Sequence, residues 1–272
     1  MIEERIGFIG IGNMGEALLR GIINSGLIPS SRIFASDVNT EKLKNLSDEL
    51  GINAVDNNHD LVDKSDIILI ALKPDVIRVV LSQISSSLRY PKWCISIAAG
   101  VTITAIESLL QEGTPFLRVM PNTPALVSEG MTAICPGTHA NEEHLDKTKQ
   151  IFQAVGKAIV LQEKLMDVVT ALSGSGPAFV FLIIEALADA GVQLGLSRSD
   201  ASLMAVQTVL GSSKMLIETQ EHPAVLKNKV TSPGGTTAVG LYELERNGVR
   251  SAIIDAVVSA TTRSKQLSSD SK

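Results

Sequence analysis

The stretch "RIGFIGIGNMGEALLRGIINS", residues 5–25, decides the fold. Residues 5–10 form a short apolar run, which predicts a strand, and Glu16 to Ser25 continue with helical spacing. Between them lie Gly10, Gly12 and Gly15 in G-x-G-x-x-G spacing, separated by Ile11, Asn13 and Met14. Such a loop between a strand and a helix is the context in which glycines bind a dinucleotide. The first allows a tight turn, the second lets backbone approach a pyrophosphate, and the third lets helix pack on strand. The phosphates would then meet free N–H groups at the positive end of a helix. The spacing alone also suits a purely structural turn. The strand, the helix and an acid at the end of the second strand favour the dinucleotide.

Outward from this unit, short apolar runs alternate with helical patterns. Residues 32–36 form a second strand, and 40–50 a helix. Residues 66–72 and 94–100 are further strands, as are 116–120, 131–135 and 158–161. A helix opens near 104, where Thr104 and Glu107 have capping-box spacing, and residues 141–155 form another. Strands apolar on both faces with helices between them predict a mostly parallel sheet covered on both sides, an N-terminal Rossmann-like α/β domain. Asp37 stands at the end of the second strand, where a carboxylate accepts ribose hydroxyls and repels a 2′-phosphate. That favours NAD(H) over NADP(H), although Ser36 and Asn39 could bind a phosphate weakly, and the preference stays open. Asp37 could instead cap the helix that starts near Thr40. Two more loops lie at carboxyl ends of strands, where open α/β sheets bind ligands: Ala71-Leu72-Lys73-Pro74 and Met120-Pro121-Asn122-Thr123-Pro124. The second is stiffened by two prolines. It either presents an amide side chain to a ligand or is an ordinary rigid turn.

After about Glu163 the strand-like runs stop, and the boundary is expected at 162/163. Residues 1–162 would form the dinucleotide-binding domain and 163–272 an all-helical domain. Its first long helix, 176–196, is apolar nearly all round and must be buried. A helical half of about 110 residues struggles to bury it alone, which predicts a subunit interface and a homo-oligomer. The polar tail "SKQLSSDSK" is expected to fray.

Composition excludes several classes. The net charge is −5 with no basic block, so nucleic acid is not the expected partner. The start carries two acids before any apolar run, unlike a secretory signal, and the apolar stretch 168–184 is interrupted by Ser, Gly and Pro. A soluble cytoplasmic protein without a membrane segment is therefore expected. Cys94 and Cys135 read as inert buried thiols, and the four histidines are scattered, with His139 and His144 read as surface residues near a helix start and His222 as a helix starter.

"GIGNMG", "ALKP", "SIAAGVTI", "RVMPNTPALVSEGMTA", "LSGSGPAFVF" and "TSPGGTTAVGLYELE" occur in this order. Over essentially the whole chain, this resembles pyrroline-5-carboxylate reductase, the last enzyme of proline synthesis. The resemblance implies an N-terminal Rossmann-like domain and a C-terminal helical domain that forms an interlocked dimer, with decamers built of dimers. It implies that Gly10 to Gly15, Ser36, Asn58, Ala71 to Pro74, Ala99 and Met120 to Asn122 contact NADP(H) or NAD(H). It implies that Ser232, Gly234, Gly235, Thr236 and Thr237 hold 1-pyrroline-5-carboxylate or proline, with Thr237 near the ring nitrogen and Glu163 close to the substrate. A carboxylated substrate would account for "SPGGTT": the N–H groups of Gly234 to Thr237 would sit unsatisfied at a helix start and receive an anion. The chemistry asks only for proximity between a cyclic imine and a reduced nicotinamide, so neither a metal nor a Ser-His-Asp device is expected. Two alternatives stay open: a β-hydroxyacid-dehydrogenase-like oxidoreductase, whose expected lysine is missing after Gly176, and a dinucleotide-binding regulator without turnover.

Overall fold

The computed structural model describes residues 2–270. Eight strands form one sheet: β1 (Ile6–Ile9), β2 (Ile33–Ser36), β3 (Asn53–Ala54), β4 (Ile67–Ile70), β5 (Trp93–Ser96), β6 (Phe116–Met120), β7 (Gly130–Pro136) and β8 (Gly156–Val160). Their spatial order is β3-β2-β1-β4-β5-β6-β7-β8. β1 to β6 run parallel, with Ile6 opposite both Ile33 and Ile67. β7 turns antiparallel against β6, and β8 is parallel to β7. The order reverses between β1 and β4, so a crevice opens at the carboxyl ends of these strands.

Alternation along each strand feeds two cores. Ile6, Phe8, Ile67 and Leu69 point into one, with Leu18, Leu19 and Ile22 of α1 (Asn13–Asn24) and Phe152 of α6 (Glu142–Gln153). Ile9, Ile68 and Ile70 point into the other, with Leu61 of α3 (Asn58–Lys64), Ile77 and Leu81 of α4 (Pro74–Ile84) and Ile106 of α5 (Ile103–Glu107). Each fully buried Ile or Leu contributes about 2 kcal/mol relative to exposure. Cys94 and Cys135 are buried and free. Burial raises both thiols, Cys135 to about 11, so neither supplies a thiolate nucleophile at neutral pH.

Local chemistry departs from expectation at several points. α1 begins at Asn13 rather than Glu16, so Asn13, Met14 and Gly15 lie inside its first turn. α2 (Thr40–Leu50) is capped by Asn39, whose side chain accepts from the Lys42 N–H. α5 is capped by Thr102 rather than Thr104, and Glu107 accepts instead from the backbone N–H and hydroxyl of Thr138. His144 is buried, not on the surface. It completes a capping box with Asn141, and its ring lies 5.1 Å from that of Trp93.

The chain divides into two compact units, residues 1–175 with 260–272, and residues 176–259. Residue 163 belongs to the first, where Met166 is buried in the second core. The segment after it includes a π-helical turn, Thr170–Gly174. The second unit contains α8 (Gly176–Gln193), α9 (Arg198–Thr219), α10 (Pro223–Lys229), α11 (Thr236–Arg246) and the start of α12 (Val249–Asp270). His222 starts α10, its Nδ1 accepting from the Ala224 N–H at 3.2 Å. α8 is apolar nearly all round, interrupted by Glu185 and Asp189, yet within this chain only Ala188 of it is buried, while Phe181 and Leu182 are 64% and 65% exposed. By length and composition, Glu163–Gln193 could cross a membrane. The polar tail is not frayed as expected: α12 runs to Asp270, Ser264 is buried, and the hydroxyls of Ser264 and Ser268 donate to Asp167 Oδ1 at 2.7 and 3.2 Å. Residues 271 and 272 lie outside the described residues.

Candidate active site

The glycine loop sits at the carboxyl end of β1. Gly10 has φ +93°, and a Cβ there would lie 2.6 Å from the Ala71 carbonyl oxygen, so only glycine fits this turn. A Cβ on Gly15 would collide with the Gly10 carbonyl, which is what close helix–strand packing demands. Gly12 is different: it is exposed, and a Cβ would meet nothing within 4 Å. Inside the protein nothing requires glycine there, whereas a pyrophosphate approaching the backbone would. Gly12 is also the N-cap of α1, and no side chain caps the helix. Its first amides and dipole end are therefore available to an anion. The cradle fits a dinucleotide.

Asp37 closes the cradle. Its Oδ2 accepts from the Ile11 N–H at 2.7 Å, and its Oδ1 from the Asn39 N–H at 2.8 Å. Asp37 thus ties the glycine loop to the β2–α2 connection instead of capping α2. A carboxylate has about four lone-pair sites, so two remain for ribose hydroxyls. Next to it, the buried Ser36 hydroxyl donates to Asn58 Oδ1 at 2.6 Å, bringing two expected cofactor residues together.

The other loops line the same edge of the sheet. The Ala71 N–H extends the ladder to the Ile9 carbonyl at 2.8 Å. Lys73 is the exposed N-cap of α4, with Pro74 at the first helical position and no side-chain cap. Ala99 is exposed beyond the end of β5. The 120–122 loop is more closed than expected. Pro121 and Asn122 are buried, and the Asn122 side chain donates to the Ser173 carbonyl at 2.9 Å and accepts from the Met131 N–H at 2.8 Å. Its amide braces the loop rather than reaching for a ligand, and leaves backbone as the loop's contribution.

Glu163 is clamped in the first unit. Its Oε1 accepts from the Ile103 N–H at 2.6 Å, at the start of α5, and from Arg118 Nη1 at 2.9 Å. Arg118 is almost fully buried, while the Glu163 side chain is one-third exposed. Sequence reasoning does not single out Arg118, although a lone charge inside the apolar run "FLRVM" is a signal. It also passes over Glu16, whose two carboxylate oxygens hold Arg20 and Lys42.

In the second unit, "SPGGTT" forms a tight turn and then a helix. The Gly235 N–H donates to the Ser232 carbonyl at 3.1 Å, with Pro233 and Gly234 between them and Gly234 at φ +67°. Proline then glycine at the two central positions is the type II preference. The glycines stand outside α11, which opens at Thr236, so they cost it no interior stability. One expectation changes. The Gly235 amide is used within the turn, so the amides at the helix mouth are those of Thr236, Thr237 and Ala238. No side chain caps them.

Comparison with known proteins agrees with these features. Residues 163–267 match the family model described as pyrroline-5-carboxylate reductase dimerisation, and residues 5–100 match that described as NADP oxidoreductase coenzyme F420-dependent. A pyrroline-5-carboxylate reductase of Methanosarcina acetivorans is 48% identical, over 98% of this chain and 99% of its own. The solved pyrroline-5-carboxylate reductase of Coxiella burnetii superposes with a TM-score of 0.93 at 35% identity, covering 98% and 99% of the two chains. The Plasmodium falciparum enzyme, solved with NADP bound, gives 0.89 at 37% identity, with 98% and 99% covered. With relatives similar from end to end and a matching dimerisation model over residues 163–267, this chain belongs to the pyrroline-5-carboxylate reductase family.

Proposed function

We infer that this protein reduces 1-pyrroline-5-carboxylate to L-proline with NADH or NADPH, the last step of proline biosynthesis. The observation that carries the reading is the uncapped mouth of α11 behind the 232–235 turn, on a chain that also holds a complete dinucleotide cradle. In this reading Gly10 to Gly15 receive the pyrophosphate and Asp37 the ribose. Ser36, Asn58, Ala71 to Pro74, Ala99 and Met120 to Asn122 form the rest of the cofactor wall. When bound, the reduced nicotinamide supplies a hydride.

The chain's own part is positioning. The amides of Thr236 and Thr237 and the helix dipole grip the substrate carboxylate, and the absent side chains of Gly234 and Gly235 let it approach. The Thr237 hydroxyl holds the ring nitrogen. A protonated cyclic imine is already an electrophile, so placement accounts for most of the rate. Glu163, held by Arg118 and the Ile103 N–H, is the further substrate-binding residue of this reading. Residues 163–272 act as the substrate and dimerisation domain. The apolar faces of α8 meet a second copy rather than lipid, and dimers, or decamers built of dimers, form in the cytoplasm.

The test is turnover of pyrroline-5-carboxylate with each reduced nucleotide by wild type and Thr237→Ala. Wild type should turn over. The variant should lose about 10- to 100-fold in kcat, as expected for one positioned hydrogen bond, with nucleotide Kd unchanged. Absence of turnover by wild type with both nucleotides would reject the reading, and equal rates would reject the role of Thr237.

A further inference from the structure

Between α1 and α2, beside the Asp37 loop, lies a cleft of about 320 Å³ whose lining includes Glu16, Arg20, Asn39, Glu41, Lys42 and Glu49. Two cations face three acids there, and both cations are already paired. Glu16 Oε1 accepts from Arg20 Nε at 2.9 Å, and Glu16 Oε2 lies 2.8 Å from Lys42 Nζ. Glu49 takes the other side of the Arg20 guanidinium with both oxygens, at 2.6 and 2.9 Å. The Lys42 ammonium holds the Glu16 carboxyl below the usual carboxylate range.

The adenosine ribose of a nucleotide must lie close by. In a Rossmann unit it sits against the acid at the end of the second strand, and a 2′-phosphate projects toward the connection into the next helix. Here that connection is Asp37 to Asn39, with Lys42 in the first turn of α2; the Asp37 side chain accepts from the Asn39 N–H, and the Asn39 side chain accepts from the Lys42 N–H. Lys42 is the first cation after Asp37 in the sequence, and an NADPH-binding site would be expected to aim such a cation at the phosphate.

We propose that Glu16 is a specificity-determining residue: by sequestering Lys42 it keeps that cation from the adenosine end of the cradle and selects NADH over NADPH, while Arg20 stays held by Glu49 as well. Asp37 contributes repulsion, and Glu16 withholds the attraction that would overcome it. The proposal rests on the dinucleotide reading above and adds to it a residue that does not touch the cofactor.

The test is calorimetric titration of NADH and NADPH into wild type, Glu16→Gln, Lys42→Met and the double variant, with thermal melts as a control for folding. Wild type should bind NADH more tightly. Glu16→Gln, which keeps an acceptor for Arg20 but removes the charge, should tighten NADPH about tenfold and leave NADH within about twofold. Adding Lys42→Met should erase that gain. Lys42→Met alone should leave NADPH affinity within about twofold, because the wild-type lysine is already engaged. An unchanged NADPH-to-NADH ratio in Glu16→Gln would overturn the proposal alone. So would a loss of NADPH affinity beyond about fivefold in Lys42→Met, which would mean the lysine already serves the phosphate. Failure of both nucleotides to bind wild type would remove the dinucleotide reading, and the proposal with it.

Discussion

His144 shows how one side chain couples structure to pH. Its Nδ1 accepts from the Asn141 N–H at 3.2 Å, and its ring packs on Trp93. Burial pushes its pKa below the ordinary value, the Glu143 carboxylate pulls it back up, and Lys147 pushes it down again. The folded state therefore binds fewer protons than the unfolded state as pH falls below about 6.5, the ordinary histidine value. Stability from this group is complete above that pH and is lost below it, because a protonated ring cannot accept the Asn141 bond. The urea midpoint should drop from pH 7.5 to pH 5.5 more steeply in wild type than in His144→Gln. Parallel slopes would show that His144 does not titrate in this way. Sequence alone places His144 on the surface because its neighbours, Asn141, Glu142 and Glu143, are those of an exposed helix start. Its burial comes from Trp93, about fifty residues away, which no local pattern reports.

Among the elements, the proposed nucleotide site centres on the β1–loop–α1 unit. Gly10 and Gly15 are required by the fold, and Gly12 is required by nothing inside it. Gly12→Val should leave the thermal midpoint nearly unchanged, within about 1 kcal/mol of stability. It should also weaken either nucleotide by about 100-fold or more in a binding titration, because the new side chain fills the approach of the pyrophosphate. Undiminished affinity would place the dinucleotide elsewhere. This unit is legible because strand, glycine spacing and helix are consecutive. So is the two-sided sheet, since its strands are apolar on both faces. What is not legible has physical causes. β3 is two residues long and exposed, too short for a period to register. α3 is short, and the β-branched run Val76, Ile77, Val79 and Val80 in α4 carries a strand-like composition. The antiparallel turn of β7 depends on pairing with β6, and sequence periodicity does not encode direction. Thr102 and Thr104 are both plausible caps for α5, and only the path of the chain decides between them. At the candidate site, the engagement of the Asn122 side chain and the Gly235 amide depends on partners that spacing does not show.

For the whole molecule, the second unit is the informative part. Phe181 and Leu182 on α8, and Leu203 and Met204 on α9, are largely exposed within the single chain. An apolar surface this extensive is not left to water by a stable soluble monomer. The family match over residues 163–267 is to a dimerisation domain, which supplies the partner. Leu182→Asp should place a charge in that contact and convert the species seen by sedimentation to the monomer, or to aggregate, with loss of turnover. A variant that sediments with wild type would show that this face of α8 is not the interface.

In the proposed reaction the amides at the mouth of α11 grip the substrate carboxylate. The most direct test is a crystal structure of the protein with bound proline. The proline carboxylate should lie within hydrogen-bonding distance of the Thr236 and Thr237 N–H groups, with the ring nitrogen toward the Thr237 hydroxyl. A proline carboxylate bound away from residues 232–238 would contradict it.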